Sequence, residues 1–410
     1  MTSEGPGDRG SPFQFLLGDL MNMLGGANTD QWELTRAFGL NVATGGSPEP
    51  NVEPLQRIRL EELARVAELH VSEATGMPVS SDGRRVTCIP VGRGEWTARA
   101  LDAWRPALSA MAAPAPGAAP AQPPTTPENL FGGEMSGEGF GELMNQWAAA
   151  IGPMFVGLQL GSVVGHLSQR ALGQYVLALP WPPADELLVV TANVATFAED
   201  WSLPEEEALL WVCARELATH TVLSRPAVRG RLDELVREVA ESAAAAQGGL
   251  AEQLKGLGEG GMDMESLQSL FGDPEALLGG LLTPEARRSS DQLTSLAVVI
   301  DAYADHIADV VGASLVSSHS QLAEAWYRRR IERGKGEEAA GSLFGLDLEQ
   351  AQVDRGRAFV SGLIERAGEE GLGRLWSSER NLPTPAEVDA PGLWLERIDL
   401  PELDPPSEGA

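Results

Sequence analysis

Apolar residues recur every three or four positions through much of this chain, which predicts a mainly helical protein with a small β component, an α+β fold. Leu60, Leu63, Val66, Ala67 and His70 follow that spacing in an Arg/Glu-rich background, so residues 51 to about 110 read as helical. Phe140–Leu172 reads as a long apolar helical stretch. Its small residues Gly157, Gly161 and Gly165 suit close helix packing, within the chain or against a second copy. Further helices are predicted from near Ser202 to Leu223, over Val228–Ala245, from Ser290 to about Val316, and over Asp347–Ala367. Ser202 and Glu205 have the spacing of a capping box, and Pro204 falls in the tolerated first turn. The best strand candidates are Gly173–Pro180 and Glu186–Val194, bounded by prolines.

Two segments break this pattern. Residues 1–50 are rich in Gly, Pro, Ser and acidic side chains and read as partly disordered, with a brief amphipathic segment at Phe13–Leu24. Residues 112–128 are dominated by Pro and Ala; proline fixes φ and removes a donor, so they form a linker. The organisation expected is a helical region over 51–111, the linker, a main domain over 129–400 and a disordered acidic tail over 401–410. The glycines from Gly132 to Gly141 lack the preceding strand and following Lys-Ser/Thr of a phosphate loop.

Composition narrows the function. The chain of 410 residues carries 30 basic and 59 acidic side chains, a formal charge of −29, which disfavours nucleic acid and anionic membrane as partners. The basic residues Arg328, Arg329, Arg330, Arg333 and Lys335 cluster, and read first as a solvated helix end or loop, with an anion or partner contact as the alternative. Twenty-eight of the basic residues are arginine, a bias of GC-rich bacterial genomes. Cys88 and Cys213 are far apart in sequence and apolar in context, which suggests neither a disulfide framework nor a thiolate metal site. No apolar run is long enough to span a bilayer and no basic leader is evident, so a cytoplasmic location is expected.

Chemistry concentrates on Trp211–Leu223. At about 100° per residue, Leu209, Cys213, Glu216, Leu217 and His220 share one face of a helix that is apolar nearly all round and therefore buried. A buried carboxyl and imidazole at i and i+4 need partners or a ligand. No Gly-x-Ser-x-Gly elbow occurs, and Cys213 lies mid-helix without an activating neighbour. His70, His166, His306 and His319 read as ordinary helix histidines.

The run from "GQYVLALP" through "LLVVTANVATFAEDWSLPEEEALLWVCARELATHTVL" resembles an actinobacterial family described as zinc-dependent metalloproteases or hydrolases, with a zincin-like fold. The resemblance takes in "RIRLEELARVAELHV" upstream and "FVSGLIERAGEEGLGRLWSSERNLPTPAEV" downstream. It implies a helix carrying His-Glu-x-x-His, whose histidines hold zinc while the Glu acts as general base. Here Arg215 stands at the first His, Glu216 at the Glu and Thr219 at the second His. A guanidinium has no lone pair for a metal, and a neutral hydroxyl is a poor zinc ligand. Asp301 matches the family's downstream ligand and Asp305 its supporting carboxylate, but Asp for Glu shortens the reach by about 1.5 Å. The motif is degenerate, with Glu216 a vestigial base and no metal cofactor expected, although the family's would be zinc.

Three readings follow. In the first, the chain is a pseudoenzyme, a monomer or homodimer, whose cleft binds a peptide or protein or which regulates an active relative, with an Arg215–Asp301 ion pair where the metal would lie. In the second, Glu216, His220 and Asp301 rebuild a metal site for a live hydrolase. In the third, the scaffold is purely structural.

Overall fold

The computed structural model describes residues 31–80, 83–112, 156–258 and 284–401; for 246–258 and Lys335 it describes the backbone alone. The expectations for Phe13–Leu24, the linker, the Gly132–Gly141 patch and the last nine residues lie outside the described residues. In chain order the elements are α1 (Gln31–Thr44), α2 (Pro54–Thr75), β1 (Thr87–Pro90) and α3 (Arg93–Ala112). A helix over 156–168, α4, follows. Next come β2 (Glu186–Val189), α5 (Thr191–Asp200), α6 (Glu205–Leu223), α7 (Pro226–Gly258), α8 (Pro284–Leu315) and α9 (His319–Ile331). The chain continues through α10 (Lys335–Leu343), α11 (Gln350–Gly373), α12 (Pro385–Asp389) and α13 (Pro391–Asp399).

The centre of the molecule is α6, which α2, α5 and α8 flank. Its residues from Ala208 to Thr219 are all buried, as the absence of a polar face in the sequence predicts. Such a helix has no propensity-driven reason to stand alone and owes its stability to packing. One core runs from Leu60, Val71 and Trp96 in the N-terminal helices through α6 and α8 to Phe359 and Trp394. Trp96, Trp104, Trp181 and Phe344 meet within it edge to face, Trp104 reaching Trp181 at 5.6 Å and Phe344 at 5.2 Å between centroids.

The β component is one parallel pair, Thr87 opposite Glu186 through Pro90 opposite Val189. Two corrections follow. β1 lies inside the region expected to be helical. Its four residues are too few to show a period, and its partner lies nearly a hundred residues downstream. Of the predicted strands, only Glu186–Val189 pairs; Thr191 begins α5, and Gly173–Pro180 forms no strand beyond an isolated Gly173–Val189 bridge. Those residues form a largely buried loop instead. A buried loop must satisfy its backbone from elsewhere. Asn193 Nδ2 donates to the Ser168 and Ala171 carbonyls at 2.9 and 2.6 Å, and Trp96 Nε1 donates to Gly173 O at 2.9 Å. These bonds fix the chain entering the loop and Gly173 itself, and the Tyr175 N–H, which donates to Glu216, pins the loop against α6.

The predicted cap of α6 is also corrected. The helix starts at Glu205, with Pro204 at the N-cap and no side-chain capping bond. Ser202 instead takes a left-handed conformation, φ 53°, to turn the chain from α5 into α6. α7 runs past the predicted Ala245 to Gly258.

The glycine stripe of α4 packs on α1 of the same chain. A Cβ on Gly161 would lie 2.3 Å from the Thr35 carbonyl oxygen, and one on Gly165 2.6 Å from that of Gly39. Among the described residues no helix is long and apolar enough to cross a membrane.

Candidate functional site

Arg215 emerges from the middle of α6 toward α8, and the side chain is 4% exposed. A guanidinium so placed must be fully paired. Nη2 donates to Asp301 Oδ1 at 2.7 Å, Nε to Asp305 Oδ1 at 2.9 Å, and Nη1 to the Tyr175 carbonyl at 3.4 Å. The Arg215–Asp301 pair drawn from the sequence is formed. Asp301 and Asp305 sit one turn apart on α8, so one planar fork reaches both.

A second arginine completes the arrangement. Arg330, from the last turn of α9, donates Nη2 to Asp301 Oδ2 at 2.9 Å and Nη1 to Asp305 Oδ2 at 2.8 Å. The two arginines and two aspartates thus form a closed ring in which every carboxylate oxygen is used and the formal charges cancel. Trp326, four residues before Arg330, adds an Nε1 bond to Asp305 Oδ1 at 2.9 Å. Its ring also lies 4.7 Å from the Arg215 guanidinium carbon, replacing lost hydration with a cation–π contact. Burial alone would raise the Asp305 carboxyl; Arg330 and Arg215 together hold it below the usual carboxylate range. Burial likewise disfavours the Arg215 cation, but Asp305, Asp301 and Glu216 outweigh it and keep the guanidinium charged.

Glu216 faces the other way, toward the pinned loop. Its Oε2 accepts the Tyr175 N–H at 2.8 Å, and Oε1 lies 3.6 Å from Arg215 Nη1. Gly173 is obligatory beside it, since a Cβ there would lie 2.3 Å from the Glu216 carboxyl carbon. Burial pushes this carboxyl up to about 7, against the opposing pull of Arg215 and the loop N–H groups. It is therefore partly protonated near neutrality.

The remaining predicted positions do not converge on a metal. Thr219 Oγ1 turns back to its own helix, donating to the Arg215 carbonyl at 2.9 Å. His220 presents Nδ1 to the Tyr175 hydroxyl at 2.9 Å. The alternative set Glu216, His220 and Asp301 is not brought together, because Asp301 spends both oxygens on arginines. Among the described residues no three His, Cys, Asp or Glu side chains are grouped to hold a metal ion. The residues at the positions that the resemblance matches to the zinc ligands do not fit zinc: Arg215 is a cation without a lone pair, the Thr219 hydroxyl is spent on its own helix, and Asp301 is held by two arginines.

Three features of the site region do not show in the sequence pattern. The arginines at the end of α9 are not all a solvated helix end: Arg328 is exposed, but Arg330 is 14% exposed and bound in the ring. The i, i+4 spacing of Trp326 and Arg330 was the available signal. Cys88 and Cys213, distant in sequence, meet in the core behind Glu216 as free thiols. Their mutual hydrogen bond, then burial, pushes the Cys88 thiol up. Finally, His306 lies 3.1 Å from Glu369, an ion pair when protonated.

A cleft of about 60 Å³ opens over Arg215, Glu216 and Asp301. Its apolar wall includes Leu172, Leu177 and Val212, and its rim carries Arg170, Arg329 and Arg333.

Comparison with known proteins fits this architecture. No curated protein matches the chain in sequence. A crystal structure from Chloroflexus aurantiacus, described as a "putative hydrolase with a novel fold", superposes with a TM-score of 0.60 at 22% identity. The match covers 90% of this chain and 99% of that one. At that identity the likeness establishes a shared fold. A family model for zincin-like metallopeptidases matches residues 31–395, from the first helix of the described structure to the last. With nearly its whole length matched, the chain belongs to the zincin-like metallopeptidase family.

Proposed function

We propose that this member of the family is a pseudo-metallopeptidase, which keeps the zincin-like scaffold and cleft but uses them to bind a peptide or protein rather than to hydrolyse one. The observation that carries this reading is the Arg215–Asp301–Arg330–Asp305 ring. It holds a permanent cation at the position that corresponds to the first zinc ligand. Opening such a buried pair to admit a metal costs roughly 3–5 kcal/mol by general experience with buried ion pairs. Without a metal, Glu216 has no activated water to deprotonate, and a carboxyl alone supplies too little to cleave a peptide. What the site retains is a shaped, polar-floored cleft with an apolar wall, the form of a binding site.

The test is peptide cleavage in the presence of excess zinc. Full-length protein incubated with a degenerate peptide mixture should release no new termini above a blank. Cleavage that disappears in Glu216→Gln would instead make the chain a working hydrolase.

A further inference from the structure

The charge lining the cleft does not balance. Five arginines border it, Arg170, Arg215, Arg329, Arg330 and Arg333, against the carboxyls of Glu216, Asp301 and Glu337. Arg215 and Arg330 are neutralised inside the ring by Asp301 and Asp305. Arg170 lies 2.9 Å from Glu337 Oε2, the oxygen that also caps the Gly334 N–H at 2.8 Å. Glu337 Oε2 is thus shared between Arg170 and the Gly334 N–H. Arg329 and Arg333 remain, and their bonds are to main-chain carbonyls, those of Arg170 and Arg330 respectively. Among the described residues neither has a carboxylate in ion-pair contact. Glu337 and Asp200 act on Arg329 only at longer range, as Glu337, Asp347 and Glu338 do on Arg333.

Both guanidiniums are partly withdrawn from water. Burial, with Arg170 beside it, lowers Arg329 to about 10, and burial with Arg330 beside it lowers Arg333. Two partly buried cations without a carboxylate in contact at one rim are unusual in a chain of charge −29, which had acidic residues to spare for pairing them. An anion between them would supply the missing partner. The neighbouring wall of Leu172, Leu177 and Val212, with Leu348, suits an aliphatic chain. A planar fork matches a carboxylate, whereas a strongly hydrated dianion gains nothing from an apolar wall.

We propose that the cleft binds a carboxylate borne on an aliphatic chain, such as the free C-terminus of a peptide ending in an apolar residue. The carboxylate is held by Arg329 and Arg333, and the chain lies along the leucine wall. This rests on the reading of the cleft as a binding site and names its ligand chemistry.

Titration calorimetry on the full chain tests it with three probes: N-acetyl-Ala-Leu, its C-terminal amide, and 4-methylpentanoate. The free acid peptide should bind at least about tenfold more tightly than the amide, the loss typical of a charge-assisted hydrogen bond. Arg329→Gln and Arg333→Gln should each weaken the acid by about tenfold and leave the amide unchanged. Arg328→Gln should have no effect, since Arg328 pairs with Glu324 on the outer face of α9. Binding of 4-methylpentanoate as tight as the peptide's would support the carboxylate site and identify a free acid as its source. Equal affinity for acid and amide, or no binding of any probe at millimolar concentration, would overturn the proposal. The acid–amide comparison uses the unaltered chain, so it stands even where a variant folds poorly. Cleavage of N-acetyl-Ala-Leu would sink the pseudoenzyme reading while leaving the carboxylate site intact.

Discussion

Arg215 and Glu216 are adjacent on one helix, equally buried, and held in opposite ways. Arg215 is a charge compensated on every side. Removing it leaves Asp301 and Asp305 buried with a single cation between them. Arg215→Ala should therefore lower unfolding stability by about 3–5 kcal/mol, measured by denaturant titration. Because the ring acts as a unit, Arg215→Met combined with Asp305→Asn should cost less than the sum of the single changes, by about 0.5–3 kcal/mol. Strict additivity would contradict the ring. Glu216 is a carboxyl whose charged form the fold disfavours. The unfolded chain ionises it near 4.5 and the folded chain near 7. Between those values the folded state alone keeps the proton. This group's contribution is complete below about 4.5, falls as pH rises to about 7, and is flat above. Wild-type stability should drop by on the order of 2–3 kcal/mol relative to Glu216→Gln between pH 5 and pH 8. Parallel pH profiles would show that Glu216 titrates normally.

Among the elements, legibility followed length and periodicity. α8 is read from its pattern, its end to within a residue and its start six residues late, and α6 is recognised as buried because it has no polar face. The site residues on those two helices, Arg215, Glu216, Thr219, Asp301 and Asp305, came from the family motif together with helical spacing. What the sequence concealed depends on distant partners. β1 is four residues long and exists because β2 lies beside it. Gly173–Pro180 has β-prone residues but is held as a loop by Trp96 at Gly173 O and Glu216 at the Tyr175 N–H, side chains no local pattern connects to it. Arg330 looked like surface charge because the carboxylates it meets belong to another helix. The small residues of α4 were legible as a packing stripe, and α1 supplies the partner within the chain. Gly161→Ala should force α1 and α4 apart, since the new Cβ would meet backbone rather than a side chain that can move. A loss of about 1–3 kcal/mol is expected in thermal or denaturant unfolding. A neutral result would mean that this contact is loose.

Taken whole, the molecule joins a strongly acidic surface to an interior and a cleft rim built with arginine. The helices of residues 51–111 share a core with those beyond 156, so the N-terminal region is structurally part of what frames the cleft. Trp96, from that region, holds the Gly173 carbonyl, and the same loop holds Glu216. The chain keeps the fold of the zincin-like metallopeptidase family around a centre of paired arginines and aspartates, and the proposed reading is that this ion pairing stands in place of metal ligation. Metal stoichiometry tests that claim most directly. The full chain, purified without a metal-affinity tag, is incubated with excess zinc, desalted and analysed for bound metal. Essentially none is predicted, because Arg215 and Asp301, at positions that the resemblance matches to ligands, are paired in the ring. Close to one zinc per chain, the content of a working zincin-type site, would contradict it.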